Sequence, residues 1–495
     1  MNPSFETSAR APRLGIVVSH PIQHFTPFYR ALAQEGGVAS RVFFASRIGL
    51  ESYHDGEMKT DIAWSMDLTA GYDHEFLPGA ERIKNIAPLA VNNDGVGAAL
   101  DRFAPDAVLL YGYNLLTTLK ALVWARRRGI PAIMTSDSEL RSERSPARAA
   151  LKAAILPLVL RRFRAFLTIG DNNEAYFRHY GVPASRLFRA PLTIDETAYR
   201  KARAERARLR DEFRAAHDLR PDDFVVLFVG KLVPRKRPAD LLRAAPRIDN
   251  SRLRLLFAGD GELRAALEAE ARQSGVSATF LGFVNVDALP AVYAAADVLA
   301  HPSEADPHPL ICSEGACVGL PQLLSDRVGA LGPTDIARPG VNARAFACGD
   351  ASALGDELAK LIDDPTACAA IRFRASAPCK RKPPADDFGA AQASSLRGRN
   401  RCRHLLVRCK DYGPHQAVGL HQSSLGNPIV QLRQAVVQGG CNTYGDRVFA
   451  GRQVRPDFGL GAELIDGDRL PVHRQCERIK DFAQAERGAV AGGPS

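Results

Sequence analysis

The sequence predicts an α/β protein with two doubly wound domains that face a cleft, followed by an irregular C-terminal tail. Short apolar runs alternate with stretches of helical periodicity, which is typical of parallel strands joined by crossover helices. This alternation ends near residue 195 and restarts at Phe224. The chain has 495 residues, roughly two to four times the usual domain length, so we expect more than one hydrophobic core.

The first domain is predicted over residues 13–195, after a polar N-terminus (residues 1–12) that we expect to be flexible. The apolar run RLGIVV predicts a strand, SHPIQH a loop and FTPFYRALAQ an amphipathic helix. RVFFAS predicts a second strand. Farther along, DAVLLYGY, LLTTLKALVWARRR and GIPAIMTSD predict a strand, a helix and another strand.

A charged, helix-like connection over residues 196–220 leads to the second doubly wound domain, residues 221–375. The same alternation continues there through FVVLFVGKL, LLRAAP, LRLLFAGDG, ELRAALEAEARQSG, ATFLGF, LPAVYAAA and DVLAHPS. In open parallel sheets, ligands bind in the crevice at the carboxyl ends of the strands. We therefore expect the functional site in the cleft between the two domains.

The tail, residues 376–495, departs from this pattern. Gln occurs four times in the first 375 residues and nine times in the last 120, and five of the nine Cys lie in the tail. The run APCKRKPPADDFGAAQASSLRGRNRCRH is rich in Lys, Arg, Pro and Gly and has no helical stripe. A shifted reading frame or joined unrelated sequence would produce these changes, so we expect a disordered or poorly packed tail. An appended functional domain is the alternative.

The composition excludes several classes of protein. Hydrophobic residues make up 46% and charged residues 24% of the chain, the proportions of a globular rather than a disordered protein. The longest apolar run, residues 153–160, is far shorter than the about 20 residues that span a bilayer. The N-terminus lacks the apolar region of a secretory signal, and the cysteines form no paired framework. We therefore expect a cytoplasmic protein with reduced thiols.

The most informative segment is HPSEADPHPLICSEGACVGLPQLLSDRVG, which begins at residue 301. Pro309 suits the first position of a helix and Gly319 its end, so a short helix is predicted whose N-terminus, near Leu310, faces the cleft. Asp306 would precede this helix and Glu314 would lie inside it. A helix N-terminus binds phosphate, and a carboxylate accepts hydrogen bonds from sugar or ribose hydroxyls.

Two further features follow predicted strands of the second domain. Lys231 and Lys236 flank a turn after FVVLFVG, where two basic side chains can converge on one diphosphate. Gly259 and Gly261 follow LRLLFA, where glycine lets the backbone approach a ligand closely. Each feature alone is common by chance, but their order and spacing together indicate a ligand site.

GKLVPRK, FAGDGEL, FLGFVNVDALPAVYAAADVLAHPS and the segment that ends in GLPQLLSDRVG resemble the donor domain of retaining glycosyltransferase family 4. That family has the GT-B fold of two Rossmann-like domains. The resemblance covers about residues 13–373 and is specific in the second domain. It implies that Lys231 and Lys236 bind the donor diphosphate, that Asp306 contacts the donor sugar, and that Glu314 contacts the ribose.

The chain departs from the family pattern at two positions. The family pattern has a Glu, seven residues and a second Glu. The first of these is Asp306 here, one methylene shorter, and Glu304 is a possible substitute. Many members have a His after a Thr at the end of an N-domain strand, whereas this chain has the sequence TSD, which ends in Asp137. The candidates for the acceptor-side catalytic group are therefore Asp137, Glu139 and His20.

The basic charge is concentrated in residues 120–165, which hold eleven Lys or Arg against three Asp or Glu. Within them, ARAALKAAILPLVLRRFRAF combines apolar and basic residues, a pattern that can lie on an anionic membrane as a lipid-linked acceptor would require. A buried helix with snorkelling arginines fits the pattern equally well. Nucleic-acid binding is not expected, because no nucleic-acid motif accompanies the basic residues.

No metal or other cofactor is expected. The Asp-x-Asp at residues 466–468 resembles a cation site of other glycosyltransferases, but it lies in the tail and we interpret it as a turn. Four tail residues with metal-ligating side chains fit no common zinc spacing: Cys402, His404, Cys409 and His415.

The resemblance implies a retaining glycosyltransferase, which we expect to be metal-independent. Its donor would be a nucleotide-diphosphate sugar and its acceptor a glycan or a lipid-linked molecule, in polysaccharide or glycoconjugate synthesis, and an anionic membrane surface is a candidate partner. The alternatives are a catalytically impaired protein that binds nucleotide sugar without transfer, and a nucleotide-sugar epimerase of the same fold.

Overall fold

Two parallel β-sheets organise the chain, as the sequence predicts. The structure is a computed structural model that describes residues 10–35, 37–141, 146–248 and 251–364. The first sheet has seven strands between residues 13 and 189, and the second has six strands between residues 224 and 346. The predicted fold class, two Rossmann-like α/β domains, is confirmed. The tail, with its Asp-x-Asp and its Cys and His residues, lies outside the described residues.

The first sheet has the strand order β5-β2-β1-β6-β7-β8-β9, and all its neighbouring strands are parallel. The elements of this part of the chain are, in order, β1 (Arg13–Val18), α1 (Thr26–Glu35), β2 (Ala39–Phe44), β3 (Tyr53–Asp55), β4 (Thr60–Ile62), β5 (His74–Phe76), α2 (Val96–Phe103), β6 (Ala107–Tyr111), α3 (Leu116–Arg128), β7 (Ala132–Ser136), α4 (Pro146–Leu160), β8 (Ala165–Thr168), α5 (Asp171–His179) and β9 (Leu187–Arg189). Strands β3 and β4 form an antiparallel hairpin outside this sheet.

The second sheet has the order β12-β11-β10-β13-β14-β15 and is also parallel. Its part of the chain contains α6 (Glu196–Ala204), α7 (Arg206–Ala216), β10 (Phe224–Val229), α8 (Ala239–Ala244), β11 (Leu253–Ala258), α9 (Arg264–Ser274), β12 (Ala278–Gly282), α10 (Leu289–Ala295), β13 (Val298–His301), α11 (Leu310–Val318), β14 (Gln322–Ser325), β15 (Ala343–Phe346) and α12 (Ala351–Asp363). The connection packs on this domain, since Arg214 of α7 is 2% exposed and donates to Asp297 at 2.8 Å.

Each sheet buries both of its faces, which explains the continuous apolar runs of its strands. In β1, Leu14 and Ile16 belong to one core cluster and Val17 to the cluster on the opposite face. In β10, Val226 and Phe228 face one cluster and Val225 and Leu227 the other. Alternation of side chains across a strand therefore fills two cores per domain.

The strand order fixes where a ligand can bind. In the first sheet β1 lies between β2 and β6, and in the second sheet β10 lies between β11 and β13. From each central strand the chain first builds the sheet on one side and later returns to build it on the other side. A crevice therefore opens at the carboxyl end of the central strand. The residues that follow β10, β11 and β13 are those that the sequence singles out as a ligand site.

The two domains also touch through α5. The Asp171 amide donates to Asp335 Oδ2 at 2.7 Å, and the Asn172 side chain donates to the Gly329 carbonyl at 2.8 Å. Arg189, at the end of β9, pairs with Asp171 at 2.6 Å. These contacts bring the end of the first sheet against the loop that follows β14.

Candidate functional site

The ends of β10 and β11 approach each other more closely than side chains would allow. Gly259 has φ 151° and Gly261 has φ 155°. A Cβ on Gly259 would lie 1.9 Å from the Gly230 carbonyl oxygen, and one on Gly261 would lie 2.5 Å from that of Leu232. Both positions therefore require glycine because backbone approaches backbone. Their predicted approach to a ligand stays a prediction.

Lys231 leaves this junction and contacts carboxylates of the other domain. Its Nζ donates to Asp55 Oδ1 and Oδ2 at 3.0 and 2.9 Å and to Glu57 Oε2 at 2.8 Å. Arg235 Nη2 also donates to Glu57 Oε2, at 3.1 Å. Burial alone would lower the Lys231 pKa, but the hydrogen bonds and charges of Glu57 and Asp55 raise it. Lys231 is therefore held in its charged form.

Lys236 lies in a different cluster, with Asp306 and His301. Lys236 Nζ donates to Asp306 Oδ2, and His301 Nε2 lies 2.8 Å from the same oxygen. Burial tends to raise the Asp306 pKa, but the hydrogen bonds and charges of His301 and Lys236 outweigh it and lower that pKa to about 2. Burial lowers the pKa of Lys236 and of His301, although the Asp306 carboxylate opposes both changes. The cluster is thus built around an ionised carboxylate.

The loop that carries Asp306 is fixed by the DRVG segment after β14. The Gly329 amide donates to the Asp306 carbonyl at 2.8 Å. A Cβ on Gly329 would lie 1.8 Å from the Pro307 carbonyl oxygen, so the two loops can pack this closely only with glycine there. Gly329, the last residue of the segment that begins at residue 301, therefore positions the loop that carries Asp306.

The predicted short helix is present as α11. It begins at Leu310, with Pro309 as its N-cap residue, and ends before Gly319, which has φ 83°. Because the first-turn amides of a helix have no preceding turn to bond to, the Leu310 end of α11 can bind an anion. Helix α11 has nine residues, and its C-terminal glycine confirms the predicted end.

Glu314, on the buried side of α11, is tied to tyrosine hydroxyls. Tyr293 of α10 donates to Glu314 Oε2 at 2.6 Å. Burial raises the Glu314 pKa, and hydrogen bonds from Tyr293 and Tyr199 oppose the rise. The predicted ribose contact of Glu314 stays a prediction, with one carboxylate oxygen already engaged by Tyr293.

On the first domain, Asp137 and Glu139 follow β7. Asp137 is exposed, whereas Glu139 is half-buried and its Oε2 has no hydrogen-bond partner among the described residues. That oxygen lies beside Gly329, 2.8 Å from where a Cβ would be. Burial raises the Glu139 pKa, and the negative charges of Asp306 and Asp137 add to the effect, while Arg141 opposes it. Glu139 therefore faces the Asp306 loop across the domain boundary.

A pocket of about 150 Å³ lies beside the β1–α1 loop. It is lined by His20, Pro21, Ile22, Gln23, His24, Ile48 and Trp64. Burial lowers the pKa of both His20 and His24 to about 4, so both imidazoles are neutral at pH 7. The pocket therefore presents neutral polar groups beside an indole ring.

Helix α4 carries the basic apolar segment and exposes part of it. Leu151 is 41% exposed and Leu158 is 54% exposed. Arg161 and Arg162, just after the helix, are also exposed, whereas Lys152 is buried with its Nζ 4.9 Å from the Tyr176 ring centre. The segment is thus partly core and partly an apolar surface with a basic edge. Along residues 10–364, in the ranges described, no helix is long and apolar enough to cross a membrane.

Three groups of residues in the site escape sequence reasoning. Asp55 and Glu57 lie 176 and 174 residues before Lys231, and no local pattern marks them. Tyr199 and Tyr293 have no sequence feature that distinguishes them from aromatic residues of the hydrophobic core. His301 had a usable signal, since it is a polar residue at the carboxyl end of an otherwise apolar strand. In the described part of the chain, no group of three or more His, Cys, Asp or Glu could hold a metal ion.

Two segments of the chain match glycosyltransferase families. Residues 210–377 match the family described as glycosyl transferases group 1, and residues 77–193 match a glycosyl transferase 4-like domain. These segments contain the second and most of the first parallel sheet. These two segments are therefore similar to glycosyltransferase domains, one in each half of the described chain.

The curated relatives agree with these domains but are matched only in part. An uncharacterized glycosyltransferase of Methanocaldococcus jannaschii is 38% identical over 122 residues, which cover 24% of this chain and 31% of that protein. The D-inositol 3-phosphate glycosyltransferase of Rhodococcus opacus is 31% identical over 224 residues, which cover 42% and 49%. The chain thus spans about a third to a half of the length of these relatives.

The fold is that of solved glycosyltransferase structures. HepE of Anabaena, in complex with UDP and glucose, matches with a TM-score of 0.54 at 17% identity, over 74% of this chain and 94% of that one. The similarity shows a shared GT-B fold.

Proposed function

We propose that the protein is a retaining glycosyltransferase that moves a sugar from a nucleoside-diphosphate donor to a hydroxyl group of a glycan or lipid-linked acceptor. The observation that carries the proposal is the cluster of Lys236, Asp306 and His301 at the crevice of the second sheet. It places a cation and an ionised carboxylate together, where a diphosphate and the sugar hydroxyls beside it can both be bound. The UDP and glucose held by HepE, which has the same fold, support a nucleotide-sugar donor.

On the donor side, three groups would stabilise the leaving diphosphate. Lys231 and Lys236 follow β10, and the N-terminus of α11 at Leu310 adds the positive end of its dipole. Asp306, kept ionised by its neighbours, would accept hydrogen bonds from the donor sugar. Glu314 would accept one from the ribose through its carboxylate.

The reaction exchanges one bond at the anomeric carbon for another. The bond from that carbon to the diphosphate oxygen breaks, and the acceptor oxygen bonds to the same face, which retains the configuration. The acceptor proton passes to the departing phosphate oxygen. This front-face course is implied by the family resemblance. Among the acceptor-side candidates, Glu139 is favoured, because its unpartnered oxygen faces the Asp306 loop.

The acceptor would be a neutral hydroxylated molecule at the pocket beside the β1–α1 loop. Neutral His20 and His24 can exchange hydrogen bonds with hydroxyls, and Trp64 offers an apolar face on which a sugar ring can pack. The exposed leucines of α4 and the arginines after it would hold the protein on an anionic lipid surface. A lipid-linked acceptor would then be supplied from that surface.

A panel of UDP-, GDP- and ADP-sugars tests the proposal on the full chain. We expect one of them to raise the melting temperature and to be turned over with release of the nucleoside diphosphate, with the transferred sugar keeping its anomeric configuration by NMR. Asp306→Asn should reduce turnover by about a hundredfold or more, whereas Asp211→Asn, an exposed change of the same kind on α7, should not. Binding without turnover would favour the impaired protein, and an epimerised nucleotide sugar the epimerase. No binding by any donor would overturn all three.

A further inference from the structure

A hairpin of the first domain reaches across the cleft and contacts the cations of the second. We call residues 53–65 the cleft hairpin; it comprises β3, β4 and the residues after them. Near its turn lie Asp55 and Glu57, which contact Lys231, and Glu57 also contacts Arg235. Its acidic residues therefore contact Lys231, which the proposed function assigns to the donor diphosphate, and the neighbouring Arg235.

The contact uses the full hydrogen-bonding capacity of Lys231. An ammonium group has three N–H donors. Three carboxylate oxygens, two of Asp55 and one of Glu57, lie 2.8 to 3.0 Å from Lys231 Nζ. The two carboxylates also bring two negative charges and a cluster of oxygens, as a diphosphate does. A diphosphate therefore cannot bond to Lys231 until these carboxylates withdraw.

The far end of the cleft hairpin is held by hydrogen bonds and a ring contact rather than by ion pairs. The Ser65 hydroxyl lies 3.1 Å from both Asn285 Oδ1 and Asp287 Oδ1 and can donate to either. Asn285 Nδ2 donates to the Ala63 carbonyl at 2.8 Å, and the Trp64 ring lies 5.9 Å from that of Phe283. The hairpin is thus fixed at two separate points, and each point can be altered without the other.

The Glu57 contacts are weak enough to be reversible. Glu57 and Arg235 have about half-exposed side chains, at 49% and 41%, and Lys231 is 31% exposed, whereas Asp55 is 13% exposed and makes the tighter contact. Ion pairs at such positions are screened by solvent and exchange readily. A ligand that binds the same cations can therefore shift the hairpin population.

We propose that Asp55 and Glu57 act as an intramolecular competitor of the donor diphosphate, so that the donor binds Lys231 only when the cleft hairpin leaves the second domain. This inference rests on the proposed function, because it takes the Lys231 region to be the donor's diphosphate site. Trp64 of the same hairpin lines the pocket beside the β1–α1 loop. Release of the hairpin by the donor would therefore also reshape the proposed acceptor pocket.

Calorimetric titration of the full chain with inorganic diphosphate, and separately with UDP, tests the competition. The apparent affinity of a ligand is reduced by the fraction of protein in the competent state. The double variant Asp55→Asn, Glu57→Gln should therefore bind both probes roughly three- to thirtyfold more tightly than the wild type. The control is Glu51→Gln with Glu81→Gln, which removes two negative charges from exposed positions of the same domain and should change affinity less than twofold.

A second variant frees the hairpin without changing any charge. Ser65→Ala removes the hydroxyl contacts to Asn285 and Asp287 but keeps the bond from the residue 65 amide to Asn285 Oδ1, and it should also tighten binding of both probes. Hydrogen exchange of the amides of residues 56–65 should become faster when UDP is added to the wild type.

The outcomes distinguish a failure of the proposed competition by the hairpin from a failure of the proposed donor site. If the wild type binds a probe but neither hairpin variant binds it more tightly than the charge control, the competition is wrong and the proposed function stands. Weaker binding by Asp55→Asn, Glu57→Gln would overturn it as well, because the carboxylates would then be positioning Lys231. If no variant and no wild-type protein binds either probe, the donor site itself is wrong.

Discussion

The sharpest test of the site is Asp306→Asn, because this substitution keeps the shape of the side chain and removes its charge. Asp306 is 13% exposed and contacts both Lys236 and His301. Lowering its pKa from 3.8 to about 2 corresponds to roughly 2 to 3 kcal/mol of stability at neutral pH. The Asn side chain would lose this contribution.

The partner left behind adds to the effect. Burial already lowers the Lys236 pKa, and the Asp306 charge opposes that change. Without the carboxylate, Lys236 becomes an unpaired buried cation that gives up its proton more readily. We therefore expect Asp306→Asn to destabilise the protein by about 2 to 4 kcal/mol and to reduce sugar transfer by about a hundredfold or more.

The pH dependence has a definite sign. Because the folded pKa of Asp306 is depressed, its contribution is complete above the unfolded value near pH 4 and is lost as the pH falls through about 2. At pH 3 about half of this contribution should remain. The stability gap between the wild type and Asp306→Asn should therefore narrow between pH 7 and pH 3.

Urea unfolding at both pH values measures this gap, with Asp211→Asn, an exposed change on α7, as the control. The control should stay within about 0.5 kcal/mol of the wild type. The reasoning is refuted if Asp306→Asn is as stable as the control at pH 7. It is also refuted if the difference in free energy of unfolding between the wild type and Asp306→Asn is as large at pH 3 as at pH 7.

Three other outcomes are expected. Lys231→Ala should lower transfer by about a hundredfold but cost less than about 1 kcal/mol of stability by urea unfolding, because its ion pairs are partly exposed; a large loss of stability would contradict this. Transfer should persist in EDTA, since Lys231, Lys236 and the α11 dipole would neutralise the diphosphate in the proposed site. Loss of activity that Mg²⁺ or Mn²⁺ restores would show that a metal is needed. Vesicle sedimentation should show binding to anionic lipid that becomes weaker as the salt concentration rises. The double variant Leu151→Ser, Leu158→Ser should weaken this binding more than Ile86→Ser, an exposed apolar control outside α4. Equal binding to neutral vesicles would refute the proposed attachment to anionic membranes.

Local sequence was sufficient for the elements that carry the donor site. The apolar runs of β1 and β10 and the Pro309 and Gly319 signals of α11 predicted those elements to within about two residues. Because all strands of a parallel sheet end at the same edge, the sequence also predicted that Lys231 and Asp306 lie in one crevice. Such features depend on short-range periodicity and on backbone preferences, which each segment carries by itself.

The partners of these residues were decided by tertiary structure. That Lys231 and Lys236 bind one diphosphate, as the resemblance implies, stays a prediction; that Lys231 contacts Asp55 of the other domain and Lys236 contacts Asp306 is known only from the structure. The glycine at 259 is required by the Gly230 carbonyl, which no spacing rule reveals. Contacts of this kind form only when segments far apart in the chain dock. The geometry of docking is set by how two whole domains pack, and no local pattern of residues encodes it.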